Sequence, residues 1–338
     1  MSAMAQNSKI EWTEATWNPI VGCTIVSPGC TNCYAMKMAA RLEAMGQSRY
    51  VGLTKPSKAG AVWTGEMRLV DEALTIPLRR KKPTTWFVNS MSDLFHESVP
   101  DEWIDRVFAV MALKPQHTFQ VLTKRSGRMR AYLSGRWQVR LIPWLQKYDP
   151  EHKPGRGVLL QTVNGSLPNV WLGVSAEDQR RADERVPDLL ATPAVVRFVS
   201  AEPLLGPISF FDLLSEPGRR IDALRPGLAW LQTDEGWLGG TDSHPALDWI
   251  ITGGEGGPNA RPANPQWFRD ILGQCEAAGT AYLHKQNGEW VSVSEVEGPG
   301  EIFTFPDGRS VRRVGKRKAG RALDGVVYDG MPEVRHVG

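Results

Sequence analysis

The clearest pattern along the chain is a short apolar run that ends in polar residues and recurs through most of its length. Near-continuous apolar runs of this kind are typical of strands buried in a parallel sheet. Segments with helical spacing lie between the runs, as at 177–191 and 265–275. With a strand before Cys23, the pattern predicts about seven β/α units and an α/β fold. The later strands are predicted at 85–88, 118–122, 170–174, 195–199, 249–251 and 281–283.

This alternation allows two architectures, a (β/α) barrel and an open doubly wound sheet. No G-x-G-x-x-G sequence follows the first predicted strand, which disfavours the dinucleotide-binding version of the open sheet. Many strands end in polar residues, and in a barrel those ends meet at the carboxyl face, where the chemistry takes place. We therefore expect a partial or full (β/α) TIM-like barrel.

Two stretches interrupt the alternation, at 137–169 and 213–247. Unstructured stretches of that length in a compact domain usually serve a function, and we expect surface excursions that form a lid. The barrel domain is predicted over residues 1–290 with these two stretches as insertions. From 291 to 338 the pattern changes into a basic C-terminal extension. Its clustered cations are Arg309, Arg312, Arg313, Lys316, Arg317, Lys318 and Arg321.

Three of the four cysteines, Cys23, Cys30 and Cys33, form a C-x6-C-x2-C array. The turn-forming sequence SPG precedes the second of them. A helix is predicted directly after the array, at 35–42. The array therefore lies on a loop between a strand and a helix. In a barrel, this loop would lie at the carboxyl mouth of the first β/α unit.

Three chemical interpretations of the array are open. A disulfide would leave one thiol over, and nothing in the sequence indicates secretion. Structural zinc usually takes four protein ligands, so a distant histidine or Cys275 would have to complete the site. An iron–sulfur cluster held by three thiolates keeps one iron open for a small molecule, and we favour this interpretation. Cys275 lies on the apolar stripe of a predicted helix and is expected to be a core residue.

Composition and charge narrow the class of protein only slightly. The chain of 338 residues is 41% hydrophobic and 23% charged, as in globular proteins, with a formal net charge of +3. That charge is too small to indicate nucleic-acid binding by itself. The N-terminus shows no apolar signal-peptide core, and no run of about 18 apolar residues is present. We therefore expect a cytoplasmic protein without a membrane span, in a compartment where disulfides are rare.

Several short sequences resemble the phage-associated three-Cys-motif family, a family of unknown function. The resemblance is collinear over nearly the whole chain. The sequences that carry it are WNP at 17–19, GCT at 22–24, SPGC at 27–30, CYA at 33–35, NSMSDLF at 89–95, LTKR at 122–125, WLGVS at 171–175, SAEPL at 200–204, GGE at 253–255, ARP at 260–262, KQ at 285–286, GEW at 288–290 and AGRALDG at 319–325.

That family in turn is similar to the radical SAM enzymes, and the resemblance implies a cofactor and a reaction. Cys23, Cys30 and Cys33 would hold a [4Fe–4S] cluster whose open iron is chelated by S-adenosylmethionine. An electron from an external donor would cleave S-adenosylmethionine to a 5′-deoxyadenosyl radical that abstracts hydrogen from a substrate. The first spacing of six residues departs from the usual three, and Asn32 stands where an aromatic residue is common. Tyr34 is the nearest aromatic side chain and is expected near the cofactor.

The remaining site residues are assigned from their positions at predicted strand ends, although such residues can equally cap the next helix. Ser90 and Asp93 follow an early strand and are expected at the methionine end of S-adenosylmethionine. Lys124 and Arg125 are expected to hold an anionic group. Further candidates are Ser175 and Glu177 for ribose or carboxylate contact, and Glu202, Glu255, Lys285 and Gln286 for the substrate and its chemistry.

Substrate and partners are less closely defined. The basic extension and the two interrupting stretches favour a nucleic acid or nucleotide, with DNA modification or repair as the reaction. The family resemblance adds a partner protein from a neighbouring gene. The rival hypothesis is a non-catalytic phage protein in which the three cysteines bind zinc and stabilise a nucleic-acid-binding or partner-binding module.

Overall fold

The structure is a computed structural model that describes residues 8–58, 60–151, 162 and 165–333. The chain divides into two compact units. Unit 1 comprises Met1–Ser27, Cys33–Gly173 and Thr192–Val195. Unit 2 comprises Pro28–Asn32, Val174–Ala191 and Val196–Gly338. Cys30 belongs to unit 2, and Cys23 and Cys33 belong to unit 1.

The strands of the described residues are short and occur in both units. In chain order they are β1 (Ala15–Trp17), β2 (Ile20–Val21), β3 (Thr54–Ser57), β4 (Gly60–Trp63), β5 (Arg68–Leu69), β6 (Thr85–Val88), β7 (Thr118–Thr123), β8 (Val170–Ser175), β9 (Val196–Ala201), β10 (Leu213–Glu216), β11 (Arg219–Ile221), β12 (Leu228–Thr233), β13 (Gly236–Thr241), β14 (Trp249–Gly253), β15 (Ala281–Gln286), β16 (Trp290–Ser292), β17 (Ile302–Thr304) and β18 (Ser310–Arg313).

Seven of these strands form one parallel sheet in the order β1-β6-β7-β8-β9-β14-β15. They correspond to the seven apolar runs of the sequence, so the predicted α/β fold with a parallel sheet is confirmed. Every residue of β8 and of β14 is buried, which explains why these runs lack polar alternation. β1 and β15 are the edge strands, and the pairing between them that would close a barrel is not seen in the residues described.

The strand predicted before Cys23 is divided in two. β1 lies parallel to β6 in the large sheet, whereas β2 pairs antiparallel with β5. Asn18 and Pro19 separate them, and a proline removes one backbone donor from a sheet ladder. The chain therefore leaves the parallel sheet just ahead of the cysteine array.

The helices agree with the apolar periodicity at the positions where it was strongest. Asn264 caps the predicted helix at 265–275 by accepting a hydrogen bond from the Gln266 N–H, and Gly279 ends it with φ of 71°. No helix among the described residues is long and apolar enough to cross a membrane. In chain order the helices are α1 (Tyr34–Ala44), α2 (Asp71–Leu74), α3 (Ile76–Arg79), α4 (Asp101–Ala112), α5 (Ser126–Leu133), α6 (Trp137–Arg140), α7 (Ile142–Tyr148), α8 (Gln179–Leu190), α9 (Pro265–Ala278) and α10 (Lys316–Ala319).

The first interrupting stretch differs from the expected surface loop. It begins with α6 and α7, and Trp137 and Leu141 are fully buried. Trp137 packs against Phe108 of α4 with ring centroids 5.3 Å apart. Large apolar side chains four residues apart lie on one face of a helical turn, which is why this part joins the core of unit 1. Residues 152–161 and 163–164 of the stretch lie outside the described residues.

The second interrupting stretch is a separate four-stranded antiparallel sheet in the order β10-β11-β12-β13, where we expected a loop. β12 and β13 form a hairpin in which Thr233 pairs with Gly236. Every residue of β13 is exposed. A criterion based on buried apolar runs does not detect such a strand, and glycine-rich composition pointed away from it.

Part of the basic extension is folded, and some of its arginines are half-buried. β16, which begins at Trp290, forms a three-stranded antiparallel sheet with β18 and β17 of the extension. Arg312 and Arg313 are half-buried, and their guanidinium groups donate hydrogen bonds to backbone carbonyls. Lys316 and Arg317 of α10 are exposed. The exposed positive surface is therefore smaller than the charge run in the sequence indicated.

Candidate functional site

The chain enters the cysteine array through a position that only glycine tolerates. Gly22 has φ of +98°, and a Cβ there would lie 2.0 Å from the Glu66 carbonyl oxygen. Gly22 forms a parallel bridge with Ser92 in the loop after β6. In the same loop, the Ser90 hydroxyl donates to Asn18 Oδ1 over 3.1 Å. Ser90, predicted to bind S-adenosylmethionine, thus helps to position the segment that leads into the cysteines.

A buried arginine lies beside the first cysteine. Arg125 Nη1 is 3.6 Å from Cys23 Sγ and 3.1 Å from Asp93 Oδ2. Arg125 Nη2 donates to the Thr24 hydroxyl over 2.7 Å. Burial alone would lower the pKa of Arg125, but the negative charges of Asp93 and Cys23 raise it, so the guanidinium is held in its cationic form. A cation beside a cysteine favours the thiolate, which is the form that binds metals.

Asp93 organises the end of β7 around this arginine. Its Oδ1 accepts hydrogen bonds from the Thr123 hydroxyl at 2.6 Å and from the Phe95 N–H at 3.0 Å. Its Oδ2 accepts one from the Lys124 N–H at 3.0 Å. Asp93 is buried, and Arg125 neutralises its charge. The structure therefore brings together three predicted site residues of unit 1, with Lys124 taking part through its backbone.

His96 was not among the predicted site residues. Its Nε2 lies 2.9 Å from the Thr24 hydroxyl, and its Nδ1 accepts a hydrogen bond from the Ser98 N–H at 3.1 Å. Burial lowers the pKa of His96, and the charge of Arg125 acts in the same direction. The signal that points to it is its place three residues after Asp93, in the same polar segment that follows β6.

The segment Pro28–Asn32 carries Cys30 and has its own partners in unit 2. The Gly29 N–H donates to Glu177 Oε1 over 3.1 Å. A Cβ at Gly29 would lie 3.1 Å from Glu177 Cδ, so the lack of a side chain permits this close approach. Glu177 is fully buried, and its Oε2 lies 3.0 Å from Arg185 Nη1. The carboxylate thus joins the backbone of the cysteine loop to α8.

Glu255 contacts the same segment near its other end. Asn32 Nδ2 donates to Glu255 Oε2 over 3.0 Å. Arg261 pairs with Glu255 through Nε and Nη2, at 2.8 and 2.5 Å, and its Nη2 also donates to the Pro28 carbonyl at 3.0 Å. Burial raises the pKa of Glu255, but hydrogen bonds from Arg261 and Asn32 outweigh it, and the net pKa is lowered. Glu177 and Glu255, predicted to face ribose and substrate, therefore both contact the cysteine loop.

Glu202, Lys285 and Gln286 meet where β9 and β15 end. Lys285 Nζ lies 2.8 Å from each carboxylate oxygen of Glu202. Gln286 Nε2 donates to Glu202 Oε1 over 2.7 Å. The side chains of Glu202 and Lys285 are each 16% exposed, so solvent reaches the pair. These three predicted substrate residues form one polar cluster within unit 2.

The other assigned residues occupy different environments. Ser175 is buried at the end of β8, and its carbonyl accepts a hydrogen bond from Arg185 Nη1 at 2.7 Å. Cys33 precedes α1, and Tyr34, the first residue of that helix, is 64% exposed. Cys23 and Cys33 both pack against one hydrophobic cluster of unit 1.

The four thiols are not joined by disulfides. In the part of the chain that the structure describes, no group of three or more His, Cys, Asp or Glu residues is arranged to hold a metal ion. Two of the cysteines have surroundings that favour negative charge on sulfur. Cys23 has a cationic neighbour, and Cys33 stands at the N-terminus of α1, where the helix dipole favours negative charge. Cys30 lies in a segment held by two carboxylates.

Comparison with known proteins gives a family and no biochemical precedent. No curated protein and no solved structure matches the chain. Residues 7–332 match a family described as "Protein of unknown function (DUF5131)". The matched range contains all the candidate site residues. The chain therefore belongs to the DUF5131 family of proteins of unknown function.

Proposed function

We propose that the protein is a radical SAM-type enzyme in which Cys23, Cys30 and Cys33 hold a [4Fe–4S] cluster. When bound, the cluster would pass one electron from an external donor to S-adenosylmethionine, giving methionine and a 5′-deoxyadenosyl radical that abstracts hydrogen from the substrate. The observation that carries the proposal is the buried guanidinium of Arg125, 3.6 Å from Cys23 Sγ. A cluster with three thiolate ligands is anionic, and a cation beside one sulfur stabilises that charge.

The position of the array in the fold supports the same reaction. The cysteines follow the first strand of a parallel sheet and precede α1, which is where α/β enzymes carry their reactive groups. Three cysteine ligands leave one iron of a [4Fe–4S] cluster for S-adenosylmethionine. Asp93 acts here as the residue that orients Arg125, since it contacts the guanidinium directly.

On the substrate side we assign Glu202 and Lys285. The two side chains are close enough to share a proton, and both are partly exposed at strand ends. Such a pair can donate or accept a proton as the substrate changes. The Lys285→Ala variant is expected to form 5′-deoxyadenosine while losing most conversion of the true substrate. Equal losses of both products would remove this assignment.

For the substrate class we propose a nucleic acid or nucleotide, supported by the exposed cations Lys316 and Arg317. Each phosphate contact contributes about 0.9 to the slope of log affinity against log salt concentration. The double variant K316A/R317A is expected to lower that slope by about 2 on a DNA duplex. An unchanged slope, or no DNA binding by the wild-type chain, would remove this substrate class.

The cluster is tested by anaerobic reconstitution with iron and sulfide, followed by reduction with dithionite in the presence of S-adenosylmethionine. The wild-type chain is expected to hold about four irons and to release 5′-deoxyadenosine. Cys23→Ala, Cys30→Ala and Cys33→Ala are each expected to abolish this release. Cys275→Ala is the matched control, because its thiol is buried on α9 and is not part of the array, and it should retain the iron and the activity.

The competing zinc interpretation predicts a different outcome of the same experiment. The chain would be colourless after reconstitution, would hold one zinc ion and would release no 5′-deoxyadenosine. The three cysteine variants would then lower the free energy of unfolding without any change in redox chemistry. That result would contradict the proposed function.

A further inference from the structure

We propose that β13 is an interaction surface that pairs with β13 of a second copy of this chain, so that the four-stranded sheets of the two copies join into one. β13 is an edge strand of the sheet with the order β10-β11-β12-β13. An edge strand presents a row of unpaired backbone donors and acceptors, with which another strand can pair. The inference concerns unit 2 alone and does not depend on the proposed reaction.

The hydrogen bonds of β12 show which backbone groups of β13 point away from the sheet. The Gln232 N–H donates to the Gly218 carbonyl, so the even-numbered residues of β12 are directed toward β11. The odd-numbered residues of β12 are therefore directed toward β13, where they pair with its even-numbered residues. Because these directions alternate along a strand, the outward N–H and carbonyl groups of β13 belong to Trp237, Gly239 and Thr241.

Two other sheet edges of unit 2 are covered by segments of the chain itself. At the β15 edge of the parallel sheet, the Gly330 N–H donates to the Tyr282 carbonyl over 2.9 Å. At β10, the other edge of the four-stranded sheet, the Leu214 N–H donates to Asp183 Oδ1 of α8 over 3.1 Å. Every residue of β13 is exposed, and no strand of the described residues pairs with its outward side. The four-stranded sheet therefore has one covered edge and one open edge.

β13 also lacks the features by which proteins usually prevent pairing at an exposed edge. Such edges commonly carry a charged residue, a proline or a bulge. The sequence of β13 is GWLGGT, which contains no charged residue and no proline. Its residues pair with β12 in an unbroken register, without a bulge. Trp237 is 44% exposed and Leu238 is 64% exposed, so apolar surface accompanies the open backbone groups.

The sequence of β13 is complementary to a second copy of itself. A two-fold axis through Gly239 places Trp237 opposite Thr241 of the other copy, and Leu238 opposite Gly240 of the other copy. In this antiparallel register, all three outward residues of each strand find a backbone partner. Each large side chain lies opposite a smaller residue, so the two strands can approach without steric conflict.

The hairpin of β12 and β13 already contains a pairing of this kind. Trp230 lies opposite Gly239, and a Cβ on that glycine would be 3.6 Å from Nε1 of the indole. An aromatic side chain thus covers the backbone of a glycine across the strand pair. β13 has no charge that would select an acidic or basic partner. Two-fold pairing uses the same strand of both copies and closes after two, as in most homo-oligomers, and we therefore assign a second copy as the partner.

The test is sedimentation equilibrium of the full-length chain over a range of concentrations. One strand pair is a small interface, so the weight-average mass is expected to rise with concentration from 37.5 kDa toward twice that value. Leu238→Lys places a charge in the pairing and is expected to weaken dimerisation about 10-fold. The matched control is Leu231→Lys, because Leu231 is 53% exposed and lies opposite Leu238 but belongs to β12, which is not an edge. This control should dimerise as the wild type does.

Gly239→Pro tests the backbone pairing without adding a charge. It removes an outward N–H from the centre of the pairing and no donor of the hairpin ladder, a position at which an edge strand tolerates proline. It is expected to weaken dimerisation while the far-ultraviolet circular dichroism of the chain stays unchanged. Weakened dimerisation with a changed spectrum would not separate pairing from folding, so the cross-link described next uses substitutions that leave the ladder intact.

The register is tested by a cysteine cross-link between two single variants. In the proposed pairing, residue 238 of one copy faces residue 240 of the other in a pair without mutual hydrogen bonds, with Cα atoms about 4.5 Å apart. That distance suits a disulfide. A Cβ at Gly240 has open space around it. An equimolar mixture of Leu238→Cys and Gly240→Cys chains is expected to form a covalent dimer on mild oxidation, well above the level in either variant alone or in the wild type.

Each outcome supports or overturns the pairing. Dimerisation that Leu238→Lys weakens and Leu231→Lys does not, with cross-linking of the mixture, supports it. A mass of 37.5 kDa at every concentration up to about 1 mM overturns it. Equal weakening by Leu231→Lys shows association through the apolar face and overturns it. Growth beyond two copies shows head-to-tail pairing and overturns it. A dimer that resists both the edge variants and cross-linking forms elsewhere on the chain, which also overturns it.

Discussion

The two parts of the cysteine loop differ in what their charged neighbours contact. Beside Cys23 lies a cation, Arg125, whose Nη1 is 3.6 Å from the sulfur and which also pairs with Asp93. The segment that carries Cys30 is contacted by two carboxylates, Glu177 at a backbone N–H and Glu255 at a side-chain amide, and by the Arg261 that pairs with Glu255. In the first region a charged group lies beside the cysteine sulfur, whereas in the second the charged groups hold the chain that carries the cysteine.

In the proposed cluster site, this difference would separate two tasks. A cation near sulfur offsets the negative charge of the ligands and affects how easily the site forms or is reduced. Hydrogen bonds to the loop reduce the number of conformations it samples and so fix the ligand geometry. Each carboxylate of the second region has its own arginine, so it adds little net charge near the loop. We expect variants of the two regions to fail in different ways.

The largest loss in the free energy of unfolding is expected from variants of the Arg125–Asp93 pair. Both side chains are buried, so loss of one partner leaves an uncompensated buried charge. Arg125→Gln is expected to lower the free energy of unfolding by about 3–5 kcal/mol. Urea denaturation of the metal-free chain measures this. The double variant R125Q/D93N should cost clearly less than the sum of the two single variants. Strict additivity would show that the pair is not coupled.

A smaller loss in the free energy of unfolding, which depends on pH, is expected when Glu255 is replaced. Its folded pKa lies below the usual value of 4.5. The stabilisation is therefore fully present above the unfolded pKa and is lost as the pH falls through the folded pKa. Glu255→Gln is expected to cost about 1–2 kcal/mol near pH 7, and the difference from wild type should shrink below about pH 4. Urea denaturation across this pH range is the measurement, and a constant difference would contradict the assigned ionisation.

The smallest effect is expected at Cys275, which extends the comparison to a cysteine whose pKa is set mainly by burial. Burial raises the pKa of its thiol to about 12. Only about one molecule in ten thousand is then a thiolate at pH 8. Mass spectrometry after iodoacetamide treatment of the folded, metal-free chain should show Cys275 unmodified while cysteines of the array react. Labelling of Cys275 at the rate found in urea would contradict its burial.

The parallel sheet could be predicted from the sequence because its strands are buried on both faces. Runs such as the one that forms β8 need apolar residues at every position, and this leaves a local signal. The antiparallel sheet of β10–β13 left no comparable signal. β13 is exposed throughout, so its residues are constrained by pairing alone and not by a core. Strand pairing of that kind depends on partners that the local sequence does not identify.

Strand-end polar residues were predicted to be important, but their partners could not be predicted. Glu177 and Glu255 reach a loop that lies 148 and 223 residues away along the chain. Only the fold shows that Gly29 is small because a carboxylate packs against it. His96 was missed for a related reason, since its contact with Thr24 spans 72 residues. Local spacing identifies residue types suited to a site, whereas long-range contacts assign their roles.

The most direct test of the central claim is electron paramagnetic resonance of the reconstituted, dithionite-reduced protein with and without S-adenosylmethionine. The account predicts a reduced [4Fe–4S] signal whose g values change when S-adenosylmethionine is added, because it binds the iron that no cysteine holds. The Cys23→Ala variant should lack the signal, and Cys275→Ala should retain it. A reduced cluster whose spectrum is unchanged by S-adenosylmethionine, or the absence of any cluster signal, would contradict the account.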